Sequence, residues 1–328
     1  MLLALVIRRL FWMIPFLAAT SLLTFTLIQA PPGDYLTTYI ARLAESNETI
    51  DETTIANVRA RFGLDQPFHI QYLRWVGGML QGDFGVSFEW QQPVSGLIWE
   101  RMGLTLVLSF ATLIFTWGLA LPIGIYSAVR KYSVGDYVIT TLGFIGLATP
   151  NFLTALILMY IGVVHLGLDV GGLFSDQYKS APWSLAKVGD LISHLWLPMA
   201  ILGMSSTASL IRIMRANLLD ELPKPYVVTA RAKGVPEWKL ILKYPVRVAL
   251  NPFISTIGWV LPQLVSGAVV TAIVLNLPLS GPLMLQALMS QDMYLAGAFV
   301  MMLCSLTVLG MLISDLLLAI FDPRVRFE

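Results

Sequence analysis

Long apolar stretches alternate with short polar segments along this chain. Asp, Glu, Lys and Arg are absent from residues 10–33, 102–129, 137–168, 191–211, 248–291 and 293–314. Each stretch is at least as long as the roughly 20 residues that cross a hydrocarbon core as a helix. The pattern predicts an all-α integral membrane protein with six transmembrane helices, arranged as a single domain over residues 1–328.

The stretch 248–291 is long enough for two crossings, but turn-forming residues interrupt its second half. Pro278, Ser280, Gly281 and Pro282 lie close together there, and such clusters favour loops. We therefore expect one transmembrane helix followed by an outer loop over 277–292. A re-entrant segment is the alternative.

The longest polar segment, residues 31–101, has the pattern of short amphipathic helices. Asp51 is a suitable N-cap for a first helix that ends near Gly63. A second helix is expected to begin at Pro67, because proline favours the first helical turn. Its apolar stripe comprises Phe68, Tyr72, Trp75, Val76, Met79 and Leu80. The segment either covers the helical bundle or provides a docking surface for a soluble partner.

The segment 217–247 predicts a helix-turn-helix. Residues 226–233 have helix-compatible composition, Gly234 suits a left-handed cap, and Pro236 suits the start of a second helix over 237–244. Its cations, Arg231, Lys233, Lys239 and Lys243, are suited to anionic lipid headgroups. Alternatively, the small residues Thr229, Ala230 and Ala232 form a face that another protein can approach closely. The residues alone do not decide between the two.

Composition and charge agree with a membrane protein and give its orientation. Apolar residues make up 56% of the chain and charged residues 12%, whereas soluble domains carry about 25% charge. Most of the 21 Lys and Arg residues lie on the side that holds the N-terminus, so both termini are predicted to be cytoplasmic. Arg8 and Arg9 precede an apolar run that exceeds the 7–15 residues of a signal peptide. We expect that run to be retained as the first transmembrane helix.

The sequence lacks the residue patterns of ATP binding by a P-loop, of a metal site and of a disulfide bond. The sequence contains no Gly-Lys pair, which excludes a P-loop for ATP. His69, His165 and His194 are too far apart in sequence to suggest a metal site, and Cys304 has no second cysteine to pair with. Asp315 is the main candidate for an intramembrane charge of the kind that ion-coupled carriers use. We therefore expect no catalytic residues, no metal and no cofactor in this chain, and no nucleic-acid partner.

The segment 226–234, YVVTARAKG, resembles the coupling-loop motif of ABC importer permeases of the oligopeptide/dipeptide branch. Further motifs of that family occur in the same order, so the resemblance covers nearly the whole chain. They are Pro32-Gly-Asp34, Phe62-Gly-Leu-Asp-Gln-Pro67, Gln71-Tyr-Leu-Arg-Trp75, Gly82-Asp-Phe-Gly-Val-Ser87 and Asp322-Pro-Arg-Val-Arg326.

This resemblance implies a helix that inserts into a groove on an ATP-hydrolysing subunit and transmits nucleotide-driven movement to the permease. The coupling residues would be Thr229, Ala230, Ala232, Lys233 and Gly234. It also implies a bacterial inner-membrane location among lipids and a second, related permease subunit. Two ATPase subunits would bind ATP and Mg²⁺, and an external solute-binding protein would deliver the substrate.

Two departures from the family pattern bear on coupling and substrate. Val228 stands where the broader family has glutamate, which implies coupling by shape and backbone. After the fifth predicted helix, Ala272 and Leu279 replace an acidic residue and a glycine that many peptide permeases carry. The substrate is therefore left open between an oligopeptide, an oligosaccharide and another small solute.

The fifth predicted helix also provides candidate pathway residues. Small and polar residues there suit either a wet cavity or close helix packing. They are Gly258, Pro262, Gln263, Ser266 and Gly267.

Two other classes of protein remain as alternatives to an importer permease. An ion-coupled secondary transporter would show uptake that follows an ion gradient and fails when Asp315 is replaced by Asn. A non-transporting membrane assembly or insertion factor would show no solute-dependent ATP hydrolysis in any complex.

Overall fold

The computed structural model describes residues 2–30, 66–167, 171–256 and 269–321. Secondary structure within these ranges is helical, apart from an isolated antiparallel bridge between Val86 and Pro93. We number the described helices α1 Leu2–Gln29, α2 Phe68–Leu80, α3 Val94–Val129, α4 Val134–Ala148, α5 Asn151–Leu166, α6 Asp176–Lys179, α7 Leu185–Glu221, α8 Pro225–Ala232, α9 Glu237–Lys243, α10 Pro245–Ser255, α11 Val269–Val274, α12 Ser280–Met289 and α13 Met293–Phe321.

Four of the described helices, α1, α3, α7 and α13, are long and apolar enough to cross a membrane. The pair α4 and α5 would make a fifth crossing, although the two helices are bent by 101° relative to each other. The described ranges therefore contain four or five candidate crossings. The fifth predicted helix falls partly in residues 257–268, which lie outside the described residues.

The stretch 137–168, predicted as one crossing, is two helices because of a proline. Helix α4 ends at Ala148, and Thr149 has extended backbone with ψ 121°. The residue before a proline is disfavoured in the α conformation, and Pro150 has no N–H to continue the helical ladder. The chain therefore bends at this pair before α5 begins at Asn151.

The predicted outer loop over 277–292 contains a helix of its own, α12. Helix α11 before it ends at Val274, and Asn276 in the following turn has a φ of 52°. The amide of Leu277 then donates to the Ala272 carbonyl at 2.8 Å, which closes the helix end. Pro282 lies in the first turn of α12, where its missing N–H has no helical partner to lose.

The chain divides into two compact units, and the first comprises residues 1–6, 105–278 and 307–328. Helix α7 lies at its centre and packs against α4, α5 and α10. Glycines allow close approach to α7: a Cβ at Gly124 of α3 would lie 2.8 Å from the Met214 Cβ. Likewise a Cβ at Gly203 of α7 would lie 3.0 Å from the Thr116 Oγ1. Small residues at such contacts are typical of membrane helix packing.

The second unit comprises residues 7–104 and 279–306. Its core contains Phe25, Trp75, Phe88 and Met293. Helix α2 follows the predicted proline and buries Trp75, as expected from its stripe, whereas Leu80 is 84% exposed. The other predicted amphipathic helix, over 51–63, lies outside the described residues.

A buried carboxyl group joins two distant parts of the sequence within this second unit. Asp292, immediately before α13, accepts hydrogen bonds from the Ser87 hydroxyl, the Glu89 amide and the Leu295 amide. Burial raises the pKa of the Asp292 carboxyl, while the hydrogen bonds act in the opposite direction. Nearby, a Cβ at Gly85 would lie 2.6 Å from the Tyr294 ring. The segment 82–93 is thereby fixed against the start of α13.

Candidate functional site

Helices α8 and α9 form a compact pair, which we call the elbow and define as residues 225–243. Pro225 begins α8 with a φ suited to a helix, and the Thr229 hydroxyl donates to the Pro225 carbonyl at 2.8 Å. Gly234 has a φ of 77°, and its amide donates to the Arg231 carbonyl at 3.0 Å. The left-handed glycine therefore ends α8 and turns the chain into α9.

A side-chain ion pair spans this turn. The Arg231 guanidinium donates through Nη2 and Nε to the two carboxylate oxygens of Glu237, at 2.6 and 3.0 Å. Hydrogen bonds from Arg231 lower the pKa of Glu237 below its usual range. Both side chains are about half exposed, so solvent weakens the attraction. The bidentate geometry nevertheless defines the spacing of the two helices.

One face of the elbow is buried against α7 and α10 of the same unit. Val227 and Leu240 are fully buried, and Ala230 and Ile241 are 8% and 7% exposed. They belong to one apolar cluster with α7 and α10, whose further members include Leu210, Met214, Leu218, Val246, Ala249 and Phe253. The elbow is therefore packed onto the last turns of α7.

Polar contacts also stabilise the connection between α7 and the first helix of the elbow. Glu221, the last residue of α7, is 8% exposed. Its carboxylate accepts from the Lys224 ammonium at 2.5 Å and from the Tyr226 hydroxyl at 2.6 Å. These bonds join the end of α7 to the first turn of α8, so the elbow is held by polar as well as apolar contacts.

The predicted coupling residues do not all share one face. Thr229, Ala232, Lys233 and Gly234 are exposed on the elbow, whereas Ala230 points into the buried cluster. Residues 227 and 230 are three positions apart and therefore lie on the same side of the helix. Of the small face predicted from Thr229, Ala230 and Ala232, the structure therefore exposes Thr229 and Ala232 and buries Ala230.

The exposed side of the elbow also carries large apolar side chains. Val228, which stands at the glutamate position of the broader family pattern, is 51% exposed. Trp238 and Leu242 of α9 are 69% and 54% exposed, one helical turn apart. Apolar surface and cations therefore occur together on this side.

The candidate pathway residues cannot be placed in this structure. Gly258, Pro262, Gln263, Ser266 and Gly267 all lie in 257–268, outside the described residues.

The two positions that depart from the peptide-permease pattern are both described. Ala272 and Leu279 are 1% and 3% exposed. Each is therefore a packing residue, not part of an exposed surface.

Sequence reasoning missed a buried ion pair at the turn between α3 and α4. Asp136 is 2% exposed, and its two carboxylate oxygens accept from the Arg215 Nε at 2.9 Å and Nη2 at 2.8 Å. The Ser127 hydroxyl and the Tyr132 amide donate to the same carboxylate. In the sequence these residues appear only as charges at the edges of apolar stretches, and they are 79 positions apart.

No group of His, Cys, Asp and Glu among the described residues has the arrangement of a metal site. The described part of the chain instead shows helices of bilayer length and one folded helix pair at the end of α7. These features define a multi-pass helical membrane protein.

Comparison with known proteins identifies the family. Residues 120–327 match the model described as "Binding-protein-dependent transport system inner membrane component", and residues 1–109 match the N-terminal model of the same membrane component. The chain belongs to this family, the permease subunits of ABC importers of the oligopeptide/dipeptide branch. It is a multi-pass inner-membrane protein and not an enzyme.

Three relatives illustrate the similarity over full length. The oligopeptide transport system permease protein AppB of Bacillus subtilis is 36% identical over 326 residues, 99% of both chains. A putative peptide permease of Brucella ovis is 34% identical over 94% of this chain and 95% of its own. The dipeptide transport system permease protein DppB of Escherichia coli is 29% identical over 98% of both chains.

Proposed function

We propose that this chain forms one half of the translocation pathway of an ATP-driven peptide importer and receives its driving movement through the elbow. The observation that carries this proposal is the arrangement of the elbow. It is packed onto Met214 and Leu218 of α7 on one side. On the other side it exposes the small and flexible residues Thr229, Ala232 and Gly234. Such a surface suits close approach by a groove on a partner subunit.

Peptides are the proposed substrate class. The relatives described above carry the names of oligopeptide, peptide and dipeptide permeases. Because Ala272 and Leu279 are buried, their departure from the family pattern reflects local packing more than contact with substrate. The oligosaccharide alternative has no support among these relatives.

The proposed assembly follows from membership of the family. A second, related permease completes the pathway, two ATPase subunits bind ATP and Mg²⁺, and an external solute-binding protein delivers the peptide. The permease itself binds no cofactor. Thr229, Ala230, Ala232, Lys233 and Gly234 remain the proposed coupling segment, with Ala230 acting from the buried side by holding α8 to the cluster.

The proposed topology is a single permease domain over 1–328 with six crossings and both termini in the cytoplasm. The described helices supply four or five candidate crossings. The remaining crossing would include 257–268 and the candidate pathway residues Gly258, Pro262, Gln263, Ser266 and Gly267. The segment 31–101 then lies outside, and the segment 217–247 lies in the cytoplasm.

The test is ATP hydrolysis by the complete complex in lipid vesicles. The solute-binding protein is loaded in turn with a mixed pool of short peptides and with a mixed pool of oligosaccharides. We expect stimulation by the peptide pool only, and stimulation by sugars alone would contradict the proposed substrate class.

Two further outcomes would refute an importer permease. One is solute movement by this chain reconstituted without an ATPase subunit. The other is uptake that follows an ion gradient and is lost in Asp315→Asn.

A further inference from the structure

Helix α7 contacts the elbow and α4 through different sides of the same turns. Met214 and Leu218 belong to the apolar cluster that contains the elbow residues Val227 and Leu240. Arg215, between them in sequence, carries the bidentate bond to Asp136 of α4. The elbow and α4 are therefore attached to α7 at the same level.

Two glycines of α4 face small or flexible side chains of α7. A Cβ at Gly143 would lie 3.9 Å from the Ala208 Cβ, and one at Gly146 would lie 3.4 Å from the Met204 Cγ. Ala208 and Arg215 are seven positions apart, which places them on one side of the helix. Small side chains and a flexible methionine permit close approach but give little resistance to sliding.

The carboxylate of Asp136 is in turn fixed to the turn that precedes α4. It accepts from the Tyr132 amide at 2.9 Å and from the Ser127 hydroxyl. The Asp136 amide donates to the Ser133 hydroxyl at 3.2 Å, which caps α4. The end of α3, the turn after it and the start of α4 therefore converge on one acceptor.

We propose that Asp136 and Arg215 are positioning residues for transport, which hold α4 to the turn of α7 that bears the elbow, so that both helices move together when the elbow is displaced. The proposal rests on the proposed function of the elbow. An arginine fork on a carboxylate fixes direction and register as well as distance. The pair thus supplies the register that the glycine contacts between α4 and α7 lack.

The test compares ATP hydrolysed per peptide imported, measured together in vesicles that contain the complete complex and a labelled tripeptide pool. Arg215→Lys keeps the charge and loses the fork, and Asp136→Asn keeps the shape and loses the charge. We expect both to raise the ratio by at least about fivefold, the lower end of typical coupling between sites. Arg212→Lys is the matched control, because Arg212 is exposed and lies one turn earlier on α7. It should keep the wild-type ratio.

The outcomes of this experiment distinguish a role of the ion pair in transport from a role in holding the fold alone. An unchanged ratio in assembled Arg215→Lys complex, with import and hydrolysis falling in parallel, would overturn the proposal. So would failure of both variants to assemble, since the pair would then serve only to hold the fold. If Asp136→Asn alone fails to assemble, Arg215→Lys decides. A wild-type complex without peptide-stimulated hydrolysis would instead refute the proposed function.

Discussion

At Gly234 of the elbow, glycine is favoured because of the backbone conformation and not because of close packing. Its φ of 77° is in the left-handed region, yet no heavy atom lies within 4 Å of the position a Cβ would take. A Cβ there would therefore meet no steric obstacle, and the backbone conformation itself would cost about 1–2 kcal/mol for an ordinary residue. β-Branched residues are the least suited to it.

We expect Gly234→Val to uncouple ATP hydrolysis from peptide uptake while the protein still inserts into the membrane. The reason is that the turn between α8 and α9 would lose its left-handed conformation. Gly234→Asn is the matched control, since asparagine tolerates the left-handed conformation. Uptake and hydrolysis in vesicles measure both variants. Normal coupled uptake in the valine variant would show that the turn does not transmit movement.

At the scale of elements, the elbow is stabilised by burial of one side of each short helix. Helices of seven or eight residues are too short to be stable alone in water. Leu240 of α9 is fully buried, whereas Leu242 on the same helix is 54% exposed. Because both residues are leucine, a difference in stability between their alanine variants reports the effect of burial.

Leu240→Ala is expected to lower the free energy of unfolding by about 2–5 kcal/mol, the usual range for removing a buried leucine side chain. Leu242→Ala should change it by less than about 0.5 kcal/mol in the isolated chain, as for other exposed positions. Denaturant unfolding of the purified chain in detergent is the measurement. Equal losses in the two variants would mean that α9 is not anchored through Leu240.

Local sequence signals predicted the elements that depend on neighbouring residues. The composition of 226–233, Gly234 and Pro236 predicted helices over 226–233 and 237–244, and the structure has α8 at Pro225–Ala232 and α9 at Glu237–Lys243. The bend at Thr149 was missed, although Pro150 is a known signal, because the apolar run continues through it. The inward position of Ala230 depends on how α8 packs against α7, which no local pattern contains.

At the scale of the whole molecule, contacts between distant parts of the chain account for what sequence reasoning missed. Asp136 bonds Arg215 over 79 positions, and Asp292 bonds Ser87 over 205 positions. Charge counting placed Asp136 and Arg215 at the edges of apolar stretches but gave no reason to pair them. The candidate pathway residues were selected on composition alone, and they lie outside the described residues: Gly258, Pro262, Gln263, Ser266 and Gly267.

The buried Asp292 predicts a pH dependence for the stability of the whole chain. Burial raises the pKa of its carboxyl above the unfolded value, which is about 3.9. The folded chain therefore binds this proton more tightly than the unfolded chain. Its contribution to stability is fully present below the unfolded pKa and is lost as the pH rises through the folded pKa.

We expect Asp292→Asn to remove this decline from the thermal unfolding midpoint measured across that pH window. Asp83→Asn is the control, because Asp83 is an exposed carboxylate in the segment 82–93, which packs against the start of α13. It should keep the decline. The same decline in the Asp292 variant as in the wild type would assign the effect to another group.

The ion pair across the elbow turn has a consequence for inserting tags or labels into this protein. Arg231 and Glu237 are six positions apart, and their two hydrogen bonds fix the number of residues between them. One extra residue between Glu237 and Leu240 would rotate Leu240 by about 100° relative to Glu237, since a helix turns once in 3.6 residues. The packing of the elbow therefore depends more strongly on the number of residues between these positions than on the side chains of its exposed side.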